Sequence, residues 1–175
     1  MAKIKNSFPE KIIIINTSSG FTLVELLLYM GLLSIILVVF TNIFTAIIDM
    51  QLGAQSTSNV SQDGRYTYSR LIYDINTADT VLEPASLGST SAILRLTKNS
   101  QEYSYSLVSD NLVMTDATSA AALNGFNTKL SNLSFQRIGN VNGKHTFRIN
   151  FTITSRSQLD GTPETKIFQT TAGLR

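Results

Sequence analysis

Cysteine and tryptophan are absent from this 175-residue chain, histidine occurs once, at His145, and proline three times. Without cysteine there is no disulfide staple and no thiolate ligand, so a domain outside the cytoplasm must hold together by packing alone. One histidine cannot build a zinc site, which takes about four nitrogen, sulfur or carboxylate ligands, and no cluster of such residues supplies the rest. His145 lies between Lys144 and Thr146 at the mouth of an alternating segment, where it reads as a surface residue. A serine triad would need it beside a buried acid and a G-x-S-x-G elbow, and that elbow is missing, as is any glycine-rich phosphate loop. Asp110, Asp116 and Asp160 have the oxygen chemistry that calcium takes. Single aspartates in turns, however, are ordinarily turn formers. The expectation is no enzyme, no metal and no cofactor.

What the chain does have is one long apolar run, Gly20 to Ile48, reading GFTLVELLLYMGLLSIILVVFTNIFTAII. The positions after the glycine, about 28 of them, make a helix of roughly 42 Å, enough to cross a hydrocarbon core of about 30 Å. The run carries a single charge, Glu25. An acidic side chain at the centre of a membrane helix costs about 2.5–3.5 kcal/mol, less near an end. Such a residue usually has a partner, and none is expected nearby in this chain, which places the expected partner in another molecule.

Residues 1–20 contain Lys3, Lys5 and Lys11 against Glu10. Setting them aside from the 14 basic and 12 acidic residues leaves 11 of each, so the remainder is neutral and the basic balance belongs to the leader. That argues against a nucleic-acid-binding surface, which needs clustered lysine and arginine. The lysines fit a positive-inside start, with the N-terminus cytoplasmic and the rest outside. Ile12 to Ile15 is too short for the apolar core of a secretory signal, about 7–15 residues. Moving that core to Leu23–Phe40, with cleavage near Leu52-Gly53-Ala54, leaves Glu25 unexplained. An uncleaved signal anchor is the other competitor.

Gly20-Phe21-Thr22-Leu23-Val24-Glu25, after a short basic leader and before a long apolar helix, resembles the class III signal of type IV pilins and pseudopilins. The resemblance implies processing by prepilin peptidase after Gly20, N-methylation of Phe21, and a role for Glu25 in pairing with the terminal amine of a neighbouring subunit. The residues before the glycine, Asn16-Thr17-Ser18-Ser19, depart from the usual leader in lacking an adjacent lysine.

After Asp49 the chain turns polar but keeps a helical period, with Leu52, Val60, Tyr66, Leu71, Ile72 and Ile75 on one stripe. The simplest reading is one helix from Phe21 to Asn76, roughly 80 Å long. Gly53 and Gly64 would permit bends, and Thr77 to Pro84 would end it. Arg65, Arg70 and Asp74 read as a solvated face. Ser58 to Tyr66 and Leu71 to Ile75 are similar to the corresponding helix of large minor pilins and J-type pseudopilins.

From Ser91 the period becomes two. Leu94 and Leu96, Tyr103 to Leu107, Leu112 and Met114, Leu133 and Phe135, and Phe147 to Ile153 all read as strands, with Ile167 to Ala172 a weaker one. Ser109-Asp110-Asn111 marks a hairpin turn. Gly139 to Gly143 and Asp160 to Pro163 read as loops, and 117–127 is undecided between short helix and loop. The expected class is α+β, with five or six antiparallel strands on the second half of the helix. The organisation is leader 1–20, membrane and assembly helix 21–48, amphipathic helix 49–79 and β head 80–175.

The function implied by the resemblance is a structural subunit, a minor pilin or pseudopilin. It would be held first in the lipid bilayer of the plasma membrane, then drawn into a filament or its initiating tip. Its partners would be prepilin peptidase, other pilin or pseudopilin subunits and an inner-membrane assembly platform. The alternative is an uncleaved single-pass anchor carrying an extracellular binding module or adhesin.

Overall fold

The computed structural model describes residues 20–140, 143–159 and 162–175. The expected leader, Gly20 excepted, lies outside the described residues, as do 141–142 and 160–161 of the two expected loops. The chain divides into two units, Met1–Phe44 and Thr45–Arg175.

One helix, α1 (Leu23–Asn76), begins in the first unit and ends in the second. No proline interrupts it, since the three prolines are Pro9, Pro84 and Pro163. Thr22 caps its start by accepting the Glu25 N–H on its hydroxyl at 3.2 Å. At the other end the Thr77 hydroxyl donates to the Tyr73 carbonyl at 2.8 Å, occupying a group that the last turn leaves open. In the first unit the apolar side chains from Phe21 onward are all exposed. By length and composition α1 is able to cross a membrane.

The second unit sets the later turns of α1 with nine strands among the described residues: β1 (Thr80–Glu83), β2 (Thr90–Ser91), β3 (Leu94–Lys98), β4 (Gln101–Val108), β5 (Asn111–Thr115), β6 (Ala120–Ala122), β7 (Thr128–Ile138), β8 (Thr146–Leu159) and β9 (Thr162–Gly173). They form two antiparallel sheets, ordered β1-β3-β4-β5-β6 and β2-β7-β8-β9. The α+β class is as expected; the single sheet of five or six strands is not. The added strands are short, and β1, β2 and β6 are too brief or too uniform to show a period of two.

Other strands were hidden by irregularity. In β7 the register slips between Ser131 and Ser134, with Asn132 at φ +52°, so Leu130 and Leu133 are both buried although three residues apart. Only the stretch beyond the bulge alternates plainly. β8 behaves as its sequence indicates, burying Phe147, Ile149, Phe151 and Ile153. The Ser109–Asp110 hairpin is present, with positive φ at both residues as a two-residue mirror-image turn requires, and Asn99–Ser100 repeats it between β3 and β4. The undecided 117–127 stretch contains β6, paired to β5. Thr162 and Pro163, expected in a loop, begin β9.

The face of α1 that meets the strands keeps Val60, Leu71 and Ile75 of the expected stripe, with Ile72 at its edge, and departs from it at Leu52 and Tyr66. Ser56, Val60, Gly64, Thr67, Leu71, Asp74 and Ile75 are buried, whereas Tyr66 and Leu52 are exposed. Tyr66 lies two residues beyond Gly64, about 200° round the helix. Small side chains occupy the contact because the strands come close there. A Cβ on Gly64 would lie 1.9 Å from Cζ of Phe168, a ring stacked on its cross-strand neighbour Phe151 at 5.2 Å. Gly64 is therefore a contact glycine, and α1 runs unbroken through it and through Gly53.

Candidate functional site

Gly20, Phe21 and Glu25 stand together at the start of α1. Gly20 precedes the helix, exposed, and a Cβ there would meet nothing within 4 Å. Among the described residues nothing requires glycine at that position. Phe21 is exposed, and its ring meets Tyr29 edge-on, with centroids 6.1 Å apart and planes at 79°. Glu25 is half-buried. Its backbone N–H is held by Thr22, and its Oε1 accepts a hydrogen bond from the Tyr29 hydroxyl at 3.1 Å.

The Tyr29 bond corrects the expectation that Glu25 has no partner nearby. The partner is a phenol one turn further along, a donor that leaves the carboxylate's charge uncancelled. The sequence carried both signals. Thr22-Leu23-Val24-Glu25 has the spacing of a capping box, and Glu25 with Tyr29 has the i, i+4 spacing that brings side chains together. Neither is a countercharge.

A second polar cluster lies in the head. Asp74 is 5% exposed and accepts hydrogen bonds at 2.6 Å from Arg70 Nε and from the Tyr105 hydroxyl, both on Oδ2. Arg70 also reaches Met114 Sδ at 3.6 Å. The solvated face expected for Arg70 and Asp74 is therefore replaced by a packed pair. Burial raises the Tyr105 phenol above its ordinary value, and its bond to Asp74 adds to this. The bond to Asp74 likewise raises Arg70. With both donors fixed on one carboxylate oxygen, the cluster ties α1 to β4 and is structural.

Asp63 performs a similar task. Its Oδ2 accepts from the Gly125 N–H at 2.9 Å and the Thr128 hydroxyl at 2.6 Å, fastening the turn before β7 to the helix. Asn124 completes that turn, accepting from the Leu112 N–H and donating to Asn111 and to the Thr128 carbonyl.

Of the aspartates with calcium chemistry, Asp110 lies in the β4–β5 turn and Asp160 lies outside the described residues. Asp116 is taken up by its own turn. Bonds from the Thr118 N–H and hydroxyl and from the Ser119 N–H lower its pKa. His145 is half-buried rather than exposed, and its carbonyl accepts from the Leu174 N–H. Among the described residues no three acidic or histidine side chains come together as a metal cluster.

Residues 15–41 match a family model described as the prokaryotic N-terminal methylation motif, which is the type IV pilin signature. The match takes in Gly20, Phe21, Glu25 and Tyr29 and ends before the β head. No curated protein and no solved structure matches the chain.

Proposed function

We propose that this chain is a minor pilin or pseudopilin, a structural subunit of a type IV filament machine. It is made as a precursor, cut after Gly20 by prepilin peptidase, methylated at Phe21 and assembled through its apolar helix. The observation that carries this reading is Glu25, a carboxylate on an otherwise apolar exposed helix, five residues after a glycine that the fold itself does not require. Gly20 takes the place of the glycine after which, by the resemblance, prepilin peptidase cuts. Among the described residues the Glu25 carboxylate is bonded to a phenol rather than a cation, and the freed amine of an adjoining subunit supplies the cationic partner.

Before assembly the helix is solvated by lipid, and afterwards by the helices of other subunits. Pairing of Glu25 with a neighbour's Phe21 amine fixes register more than it adds net stability. The helix anchors the subunit in the plasma membrane with its head outside, and an inner-membrane platform extracts it.

Mass spectrometry of the N-terminus tests the reading. A chain beginning at N-methyl-Phe21 is expected. An intact leader, or a start near residue 54, contradicts it and favours a membrane-anchored binding module.

A further inference from the structure

Glu25 and Tyr29 stand four residues apart on one side of α1, and Phe21, just before the helix, meets the Tyr29 ring. Long helical side chains slant toward the N-terminus. Tyr29 accordingly leans back over the preceding turn, its hydroxyl 3.1 Å from Glu25 Oε1 and its ring edge-on to Phe21. Thr22 takes the Glu25 N–H. In a reciprocal capping box the glutamate side chain would return to the N–H of the cap. Here that side chain is engaged by Tyr29 instead.

The consequence rests on the pairing role proposed above for Glu25. A cut after Gly20 leaves a charged amine on Phe21, one turn below Glu25 on the same chain. A carboxylate free to swing down would pair with its own terminus, and little charge would remain for a neighbour. We propose that Tyr29 is a positioning residue that steers the Glu25 carboxylate away from its own chain's terminus and presents it to the amine of a second subunit. A phenol suits this task because it holds the carboxylate by a hydrogen bond without neutralising it. Its grip is on Oε1, and among the described residues Oε2 is left for the incoming amine. The ring contact with Phe21 holds the first residue beside the same acid.

The test uses the full chain, produced in cells that assemble the filament, as wild type, Tyr29→Phe, Glu25→Gln and the double variant. Phenylalanine keeps the ring and its contact with Phe21 and removes only the hydroxyl. One readout is the fraction of processed chain recovered in sheared filaments. The other is the infrared carboxylate band that Glu25→Gln abolishes, recorded for the mature subunit in phosphatidylethanolamine–phosphatidylglycerol vesicles. Tyr29→Phe is expected to lower the filament fraction about fivefold at unchanged processing and to shift that band, since a bond from an ammonium replaces one from a phenol. The double variant is expected to fall no lower than Glu25→Gln. An unchanged filament fraction or an unshifted band overturns the proposal, and so does a Tyr29→Phe precursor that is no longer cut. Normal filament entry by Glu25→Gln would remove the pairing role itself. Failure of Glu25→Gln beside wild-type behaviour of Tyr29→Phe removes only the assignment of Tyr29.

Discussion

Asp74 shows at the scale of one residue how burial changes what a charge does. On a solvated helix face its pair with Arg70 would add about 0.3–0.5 kcal/mol. Carried into the head, it bonds both Arg70 and Tyr105 through one oxygen. Removing it strands a buried phenol and a partly buried guanidinium, so Asp74→Ala is expected to cost about 3 kcal/mol. Tyr105→Phe is expected to cost about 1–2 kcal/mol, since it leaves the carboxylate its bond from Arg70. Thermal unfolding of the mature chain in detergent micelles measures both. The raised pKa of Tyr105 also sets a direction with pH. Its neutral form is favoured by folding, so its contribution is fully present below the unfolded phenol value near 10.0 and is lost as pH rises toward the higher folded value. Wild type is expected to lose stability above pH 10 more steeply than Tyr105→Phe, and parallel curves would contradict this. None of it was legible in the sequence, because Tyr105 lies 31 positions from Asp74 and only the fold joins them.

At the scale of an element, α1 was legible as a helix, and its buried face was legible at Val60, Leu71 and Ile75 but not at its small residues. Its existence followed from an apolar run without proline, and its cap from Thr22. The rest of the contact face does not follow from hydrophobicity, since Ser56, Gly64 and Thr67 lie buried beside Val60, Leu71 and Ile75 as small residues. An apolar stripe drawn through Tyr66 could not show this. Gly64→Ala places a methyl group inside the Phe168 ring position, and overpacking of this kind costs about 1–3 kcal/mol. A gain in helix propensity of up to about 1 kcal/mol partly offsets it. A net loss of about 1 kcal/mol is expected, and it should shrink when Phe168→Leu is added, which double-variant unfolding measures. Among the strands, those with regular alternation were readable, β8 most of all. The bulge in β7 and the three short strands were not, because each breaks or undercuts the period of two on which strand reading depends.

At the scale of the whole molecule the chain combines two kinds of surface. The helical unit before Thr45 presents apolar side chains with one carboxylate among them, and the unit after it buries its own core. The helix of the first was legible from its long apolar run without proline. The phenol that occupies Glu25 within the chain stood at a readable i, i+4 spacing, but spacing alone does not show that its hydroxyl takes the carboxylate. In the proposed filament the apolar unit is covered by other subunits, and the head needs no such cover to fold. Variants of the Asp74 cluster should therefore change head stability while leaving cleavage after Gly20 unaltered. Variants of Glu25 should leave both head stability and cleavage unaltered and change assembly. The most direct measurement is the fraction of mature Glu25→Ala subunit that enters filaments when it is co-produced with wild type. Membrane insertion and cleavage are expected to be normal and filament entry to fall at least about tenfold, the loss that corresponds to 1.4 kcal/mol. Entry at the wild-type level would contradict the pairing role on which the account rests.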